Sequence, residues 1–330
     1  MDNLSLKKDI LAKIKEYDSI IIARHSRPDG DCIGSSLGLR DILRTSFPEK
    51  KIYSIGKDSA TYLDFIGKED DEVSEDIYKN SLMIIVDTSV MDRIDNSNYK
   101  IAKETIKIDH HINVEPYGDI CYVRDDLPAA CAIICDFYKT FSDELKMTKD
   151  GATALFCGMV TDTGRFRYRG MTKEVYELVG MLVDFGIDTE YVFSNLYIKD
   201  SGVLKLEGWL LNHYKETPNG VAYIYITKKI IKKFKLTYEE ASSLINSLDS
   251  IKGDLIWIAF IDYEASIRVR LRSRYVPCVS VGQKYRGGGH ANACGATVYN
   301  KKEINALLND ADMVVKEYKE NNEGWLWESL

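Results

Sequence analysis

The chain has 330 residues, 45% of them hydrophobic and 29% charged, with a formal net charge of −7 at pH 7. That length outgrows a single ordinary core and suits two domains of unequal size, and the composition is that of a globular chain, neither disordered nor membrane-embedded. The acidic balance argues against a protein that wraps long duplex nucleic acid, which needs many lysines and arginines on phosphates.

The first residues, MDNLSLKKDILAKIKEYD, alternate charge with Leu and Ile at helical spacing and lack the apolar core of an export signal. They read as an amphipathic helix, and the chain as cytoplasmic. Apolar runs at 19–23, 51–55, 82–86 and 105–108 predict buried strands, and the 3.6-residue period predicts helices over 31–47, 129–141, 149–160 and 173–185. Thr172 is the expected N-cap of the last of these helices and Gly186 its stop. Such alternation implies a parallel sheet covered on both faces. No apolar run is longer than a strand, so nothing is expected to span a bilayer.

A helical connector over 191–216 ends in the turn Thr217-Pro218-Asn219-Gly220. Strands are expected at 221–226, 255–261 and 266–273, and helices at 238–248 and 302–318, which make a smaller mixed α/β domain. The expected organisation is a first domain over 1–190, a helical linker over 191–220 and a second domain over 221–330. From 221 to 290 there are twelve Lys and Arg against six Asp and Glu, a local basic excess suited to a small anionic substrate. The seven cysteines are odd in number and scattered without a CxxC, and read as reduced thiols.

Chemistry-bearing residues gather at the ends of the predicted strands. The first strand runs into RHSRPDGDCIGSS, where His25, Asp29 and Asp31 share one turn and Gly30 and Gly34 let the backbone fold closely. An aspartate in a turn is by itself most often a helix cap. The strand SLMIIV, however, also ends in an acid, Asp87, and the strand TIKI ends in Asp109, His110 and His111. Asp162 follows the helix over 149–160 in GMVTDTGRFRY. Each element delivers its residue to the carboxyl edge of a parallel sheet, where ligands bind in open α/β folds. Three of the five histidines lie in these segments. Nitrogen and oxygen donors with no cysteine expected near them favour Mn²⁺ or Mg²⁺ over structural zinc. Four aspartates around two divalent ions also balance charge that would otherwise repel.

In the second half, Arg268, Arg270, Arg272 and Arg274 alternate with Ile267, Val269, Leu271 and Ser273, which puts the arginines on one face of a strand. The run Gly287, Gly288, Gly289 and His290 lets main-chain N–H groups approach a phosphate while the imidazole adds a donor. Arg165, Arg167 and Arg169 follow Asp162 closely, and either neutralise the carboxylates or touch substrate. Trp325 and Trp327 read as anchors of the C-terminal tail.

The order HxxxDxD, strand-end Asp, DHH and a further Asp resembles the DHH phosphoesterases, and RVRLRSR followed by RGGGHANACGA is similar to their DHHA1 substrate domain. The segment TDTGRFRY looks most like the branch of bacterial nanoRNases that also hydrolyse pAp (adenosine 3′,5′-bisphosphate). This resemblance implies an N-terminal parallel-sheet DHH domain, a smaller C-terminal α/β DHHA1 domain and an active site in the cleft between them. It implies that His25, Asp29 and Asp87 hold one divalent ion and that Asp31, Asp87, His110 and Asp162 hold the other, with Mn²⁺ preferred over Mg²⁺. His111 would face the scissile phosphate, Asp109 would orient the histidines, and Arg272, Gly288, Gly289 and His290 would hold the nucleotide. Arg27 stands where the family usually has Asn, and Cys294 where Ser is common; neither removes a ligand.

The implied activity is hydrolysis of very short oligoribonucleotides or nucleotides, in a chain without membrane partners and compatible with a homodimer. A linear dinucleotide phosphodiesterase and a non-catalytic nucleotide-binding regulator are the alternatives. The intact ligand set argues against the regulator. The length scarcely allows the additional module of a RecJ-like exonuclease, and an inorganic pyrophosphatase would not need the glycine-rich motif.

Overall fold

A computed structural model of the chain describes residues 3–168 and 170–324, the side chain of His290 excepted. Arg169, Trp325, Trp327 and the imidazole of His290 therefore lie outside the described residues. The chain divides into two compact units, Met1–Ile198 and Lys199–Leu330.

The first unit runs α1 (Asn3–Glu16), β1 (Ser19–Ala23), α2 (Gly30–Ser46), β2 (Lys51–Ser54), α3 (Glu75–Asn80), β3 (Leu82–Val86), β4 (Glu104–Asp109), β5 (Ile120–Val123), α4 (Ala130–Thr140), α5 (Lys149–Asp162), α6 (Lys173–Asp184) and α7 (Thr189–Tyr197). Its five strands are all parallel, in the order β2-β1-β3-β4-β5. Successive strand residues point to opposite faces, so Ile20, Ile22, Ile84, Val86, Ile106 and Ile108 enter one large core with the helices. Ile21, Ala23, Met83 and Ile85 enter a smaller core with Tyr78 and Tyr117. The chain order reverses between β1 and β3, and ligands bind at such a switch point, outside the carboxyl ends of the strands. Ala23 pairs with Ile85 and Val86 with Ile108, so the segments after β1, β3 and β4 leave the sheet at one edge.

Helices α2 and α5 approach backbone to backbone. A Cβ on Gly34 would lie 2.5 Å from the Ala154 carbonyl and 3.1 Å from Cys131 Sγ, and one on Gly158 would lie 3.1 Å from Asp31 Cα. Only glycine permits this approach, and it sets Asp31 in the first turn of α2 near the end of α5.

The second unit runs α8 (Ser201–His213), β6 (Lys215–Glu216), β7 (Val221–Ile226), α9 (Lys228–Phe234), α10 (Tyr238–Ser243), β8 (Ile256–Tyr263), β9 (Ser266–Ser273), α11 (Val279–Lys284), β10 (Gly288–His290), β11 (Ala293–Val298) and α12 (Lys301–Asn321). Its six strands are ordered β10-β11-β9-β8-β7-β6, and only β7 and β8 pair in parallel. Ile267, Val269 and Leu271 face a core under α12, while Trp257, Ala259 and Ile261 face another with residues of α8 and α10.

The elements foreseen in sequence are present, and three details differ. Asp162 is the last residue of α5, with Thr163 as its C-cap and Gly164 turning the chain at φ 56°. The glycine run is an edge strand, β10, because Gly288, Gly289 and His290 pair with Gly295, Cys294 and Ala293. The short elements α3, β5, β6, α9 and β11 went unforeseen, β6 within the expected helical connector, which is two helices, α7 and α8: α9 buries no residue, and β11 is built from Ala, Cys, Gly and Thr before its one valine.

Candidate active site and metal centre

The turn after β1 is shaped by Asp29, which caps α2. Its Oδ1 accepts the N–H groups of Asp31 and Cys32, each at 3.1 Å. Its other oxygen, Oδ2, lies 3.5 Å from His25 Nε2. Nδ1 of His25 is 2.9 Å from the Ser26 carbonyl, and Nε2 faces Asp29 and Asp87. Asp31 is wholly buried, and its carboxylate accepts the Ala130 N–H at 2.6 Å and the Cys131 N–H at 2.9 Å. It thereby satisfies orphan donors at the start of α4, whose own N-cap, Ala129, offers no side-chain acceptor.

Asp87 stands between two sets of ligating atoms. Its Oδ2 is 3.4 Å from His25 Nε2, while its Oδ1 is 3.3 Å from His110 Nε2 and 3.6 Å from His111 Nδ1. His110 Nε2 is also 3.3 Å from Asp162 Oδ2 and 3.7 Å from Asp31 Oδ2. Oδ1 of Asp87 is buried with no hydrogen-bond partner, an expensive arrangement for a carboxylate unless a cation completes it. The backbone of Asp87 is left-handed, at φ 50°, a strained state that aspartate tolerates better than most residues. Behind the cluster, Asp109 Oδ1 accepts from His111 Nδ1 at 2.7 Å.

The charges depend on one another. Burial raises Asp31 to about 6, and the neighbouring Asp87 adds to the rise. Burial, Asp31 and Asp87 push Asp162 well above the carboxylate range. Burial opposes charge on His110, but Asp87, Asp31 and Asp162 outweigh it and carry the imidazole up to about 10. Burial likewise opposes a low pKa at Asp87, yet His110 and His25 hold it well below its ordinary value. The cluster thus gathers positive charge from its own histidines. Divalent cations would meet the same need, and the oxygen and imidazole donors suit them.

Two groupings have ligand atoms mutually within 4.8 Å and share no residue: His25, Asp29, Cys32 and Asp87; and Asp31, His110 and Asp162. Asp87 recurs in a third grouping, with His110 and His111. The expectation that no cysteine stands near the donors is corrected here. Cys32 occupies the third position of α2, where its thiol accepts the Asp29 N–H at 3.3 Å, so the cap itself carries the sulfur into the group. Burial pushes this thiol up to about 12, which keeps it protonated near neutrality. The residue follows Asp31 directly, so its neighbourhood was visible in the sequence.

Arg24 and Lys107 carry weight that pattern alone did not reveal, and Arg165, singled out in the sequence, has a further contact. Arg24 is fully buried and paired with Glu69 at 2.5 Å and Asp95 at 2.6 Å, and its Nη1 also donates to the His25 carbonyl. Lys107 lies buried in mid-β4, with Nζ 3.3 Å from Asp109 Oδ2. Arg165, at φ 63°, stacks on Tyr197 with 4.5 Å from Cζ to the ring centre. A lysine flanked by isoleucines and two residues before an aspartate was the available signal for Lys107.

In the second unit, Arg268, Arg270 and Arg272 alternate with buried Ile267, Val269 and Leu271, as period two requires. Arg270 donates to Ser242 Oγ at 3.0 Å and Arg268 to Thr297 Oγ1 at 3.1 Å, whereas Arg274 lies past the strand and stacks over Trp257. Arg272 pairs with Ala293, which pairs with His290, so the backbones of these residues form one row across β9, β11 and β10. Beyond that row, the outer edge of β10 has no strand partner among the described residues. No helix among the described residues is long and apolar enough to cross a membrane.

The sequence pattern of the DHH family, N-terminal domain, matches residues 19–159, and that of the DHHA1 domain matches residues 219–317. The chain is 34% identical to the bifunctional oligoribonuclease and PAP phosphatase NrnA of Bacillus subtilis (strain 168), over 95% of this chain and all of that protein. It is also 34% identical to the probable bifunctional oligoribonuclease and PAP phosphatase NrnA of Streptococcus mutans, over 94% of this chain and 99% of that one. Among solved structures, an exopolyphosphatase-related protein from Bacteroides fragilis superposes with a TM-score of 0.85 at 25% identity, covering 96% of this chain and 97% of that one. Motif order, sheet topology and full-length similarity agree: the chain belongs to the DHH family of metal-dependent phosphoesterases and carries its DHHA1 domain.

Proposed function

We propose that this protein hydrolyses very short oligoribonucleotides to mononucleotides, and pAp to AMP and phosphate, with two divalent ions, Mn²⁺ ahead of Mg²⁺. The observation that carries the reading is Asp87: a buried, strained carboxylate whose two oxygens face different donor groups. His25, Asp29 and Asp87 are the proposed ligands of one ion, and Asp31, Asp87, His110 and Asp162 those of the other. Bound there, the ions would supply a water of lowered pKa and neutralise charge developing on the phosphoryl oxygens.

The chain's own groups do the rest. Asp109 Oδ1 holds Nδ1 of His111 at 2.7 Å and so orients the imidazole proposed to meet a phosphate oxygen. Arg272 and the backbone of Gly288, Gly289 and His290 grip the part of the substrate that does not react, supplying orientation. The names of the relatives from Bacillus subtilis and Streptococcus mutans support both substrates. Seven free cysteines suit the reducing cytoplasm proposed as its setting.

The test is to incubate the protein and Mn²⁺ with labelled oligoribonucleotides of graded length, alongside pAp, and to compare kcat/KM before and after chelation. The expected result is a steep preference for the shortest strands, turnover of pAp, and loss of both on chelation with recovery on adding Mn²⁺. Activity that survives thorough chelation, or that rises with strand length, would overturn the reading.

A further inference from the structure

Lys107 is an unusual residue for its place. It sits in the middle of β4, between Ile106 and Ile108, with no exposure to solvent. Burying an ammonium is costly, and an apolar side chain of similar volume would commonly serve stability as well or better. Its contacts therefore call for an explanation. Nζ donates to the Ser89 carbonyl at 2.9 Å and the Glu115 carbonyl at 3.4 Å, reaches Asn113 Oδ1 at 3.5 Å, and lies 4.5 Å from the centre of the Tyr117 ring. Tyr117 in turn donates its hydroxyl to the Thr88 carbonyl at 2.6 Å. One ammonium thus fastens the segment that follows Asp87 to the segment that follows His111.

The same ammonium is 3.3 Å from Asp109 Oδ2, an oxygen that is buried without a hydrogen-bond partner. Residues two apart on a strand share a face, so β4 itself aims Lys107 and Asp109 together. With Oδ2 facing this charge, Oδ1 is turned to His111, accepting from Nδ1 at 2.7 Å and from the backbone N–H at 3.3 Å.

We infer that Lys107 is a positioning residue that acts through Asp109: it fixes the rotation of the carboxylate, Oδ2 toward the ammonium and Oδ1 toward His111 Nδ1, and so sets the imidazole that faces the substrate phosphate. Lys107 touches neither substrate nor ion. The inference rests on the functional reading above, in which His111 meets the scissile phosphate.

A double-mutant cycle tests it, with Lys107→Met, Asp109→Asn and the pair, read in two ways. The first readout is kcat and KM with Mn²⁺ and pAp. Lys107→Met should lower kcat at least about tenfold with KM within about threefold, and the pair should be no slower than Asp109→Asn alone, because both changes cut one chain of contacts. The second readout is the Nδ1 proton of His111 in metal-free protein by NMR, expected as a slowly exchanging downfield signal in wild type and lost in Lys107→Met. Additive losses in kcat, a Lys107→Met enzyme as fast as wild type, or an unchanged His111 signal would each overturn the inference. If Lys107→Met does not fold, Lys107→Gln takes its place in the cycle. Collapse of both would make Lys107 a folding residue and also overturn it. An inactive wild type would sink the functional reading instead, and the NMR signal would still report on the Lys107, Asp109 and His111 chain.

Discussion

At the scale of single residues, the site concentrates cost. Asp87 is buried, left-handed at φ 50° and short of a hydrogen bond at Oδ1, yet His25 and His110 rely on its charge. Asp87→Ala should therefore loosen both proposed ions and lower kcat by at least about 10²-fold, given the catalytic weight of the metals. Metal analysis should show both ions depleted, whereas a change confined to one donor group, such as Asp29→Ala, should leave one ion bound. Near-normal turnover by folded Asp87→Ala protein would sink the shared-ligand assignment. A second buried acid lies far along the chain. Asp254 Oδ2 accepts no hydrogen bond, and burial together with the charge of Glu216 raises its pKa from 3.8 to about 7. The folded state then holds a proton that the unfolded chain releases, so stability is undiminished below pH 3.8 and falls as pH rises to about 7. Asp254→Asn should flatten that part of the stability profile, which urea titrations across the same window would reveal.

At the scale of elements, the strands that lead to the proposed ligands were legible because each is an apolar run, and β3 and β4 stop at an acid. For β1, β3 and β4 the pattern gave the element, and the candidate residues at or after its end lie close together. What pattern could not give is pairing across the chain: Asp31 capping α4, Arg24 paired with Glu69 and Asp95, and Lys107 tying together the segments after β3 and β4 depend on contacts many residues apart. The strand in the glycine run was not legible for a related reason, since an edge strand of three residues is defined by its partner β11 and not by its own composition. The glycines of α2 carry a prediction of their own. A Cβ at position 34 would lie 2.5 Å from a backbone carbonyl of α5, which cannot rotate away as a side chain can. Gly34→Ala should force α2 and α5 apart, costing about 1–3 kcal/mol by overpacking. Because α2 begins at the Asp29 cap and α5 ends at Asp162, metal affinity should fall along with the melting temperature. Unchanged affinity in a destabilised variant would show that the helix spacing does not set the ligands.

At the scale of the whole molecule, the proposed residues fall in two units that each own a sheet and separate cores. Every proposed metal ligand lies from His25 to Asp162 in the first unit, while Arg272 and β10 belong to the second. Arg272→Ala should consequently leave the metals bound. Arg–phosphate contacts are charge-assisted and often bidentate, so losing one should cost roughly 1.5–3 kcal/mol, or about 10–100-fold in kcat/KM on a dinucleotide. A small activated ester such as bis-p-nitrophenyl phosphate has no second phosphate to grip, and its hydrolysis should change far less. The informative quantity is the ratio of dinucleotide to small-ester kcat/KM, measured in wild type, in Arg272→Ala and in His290→Ala. A fall in that ratio with metal content intact would assign the second unit to nucleotide recognition. An equal fall for both substrates would mean that Arg272 shapes the reacting centre, and the division of labour would have to be abandoned.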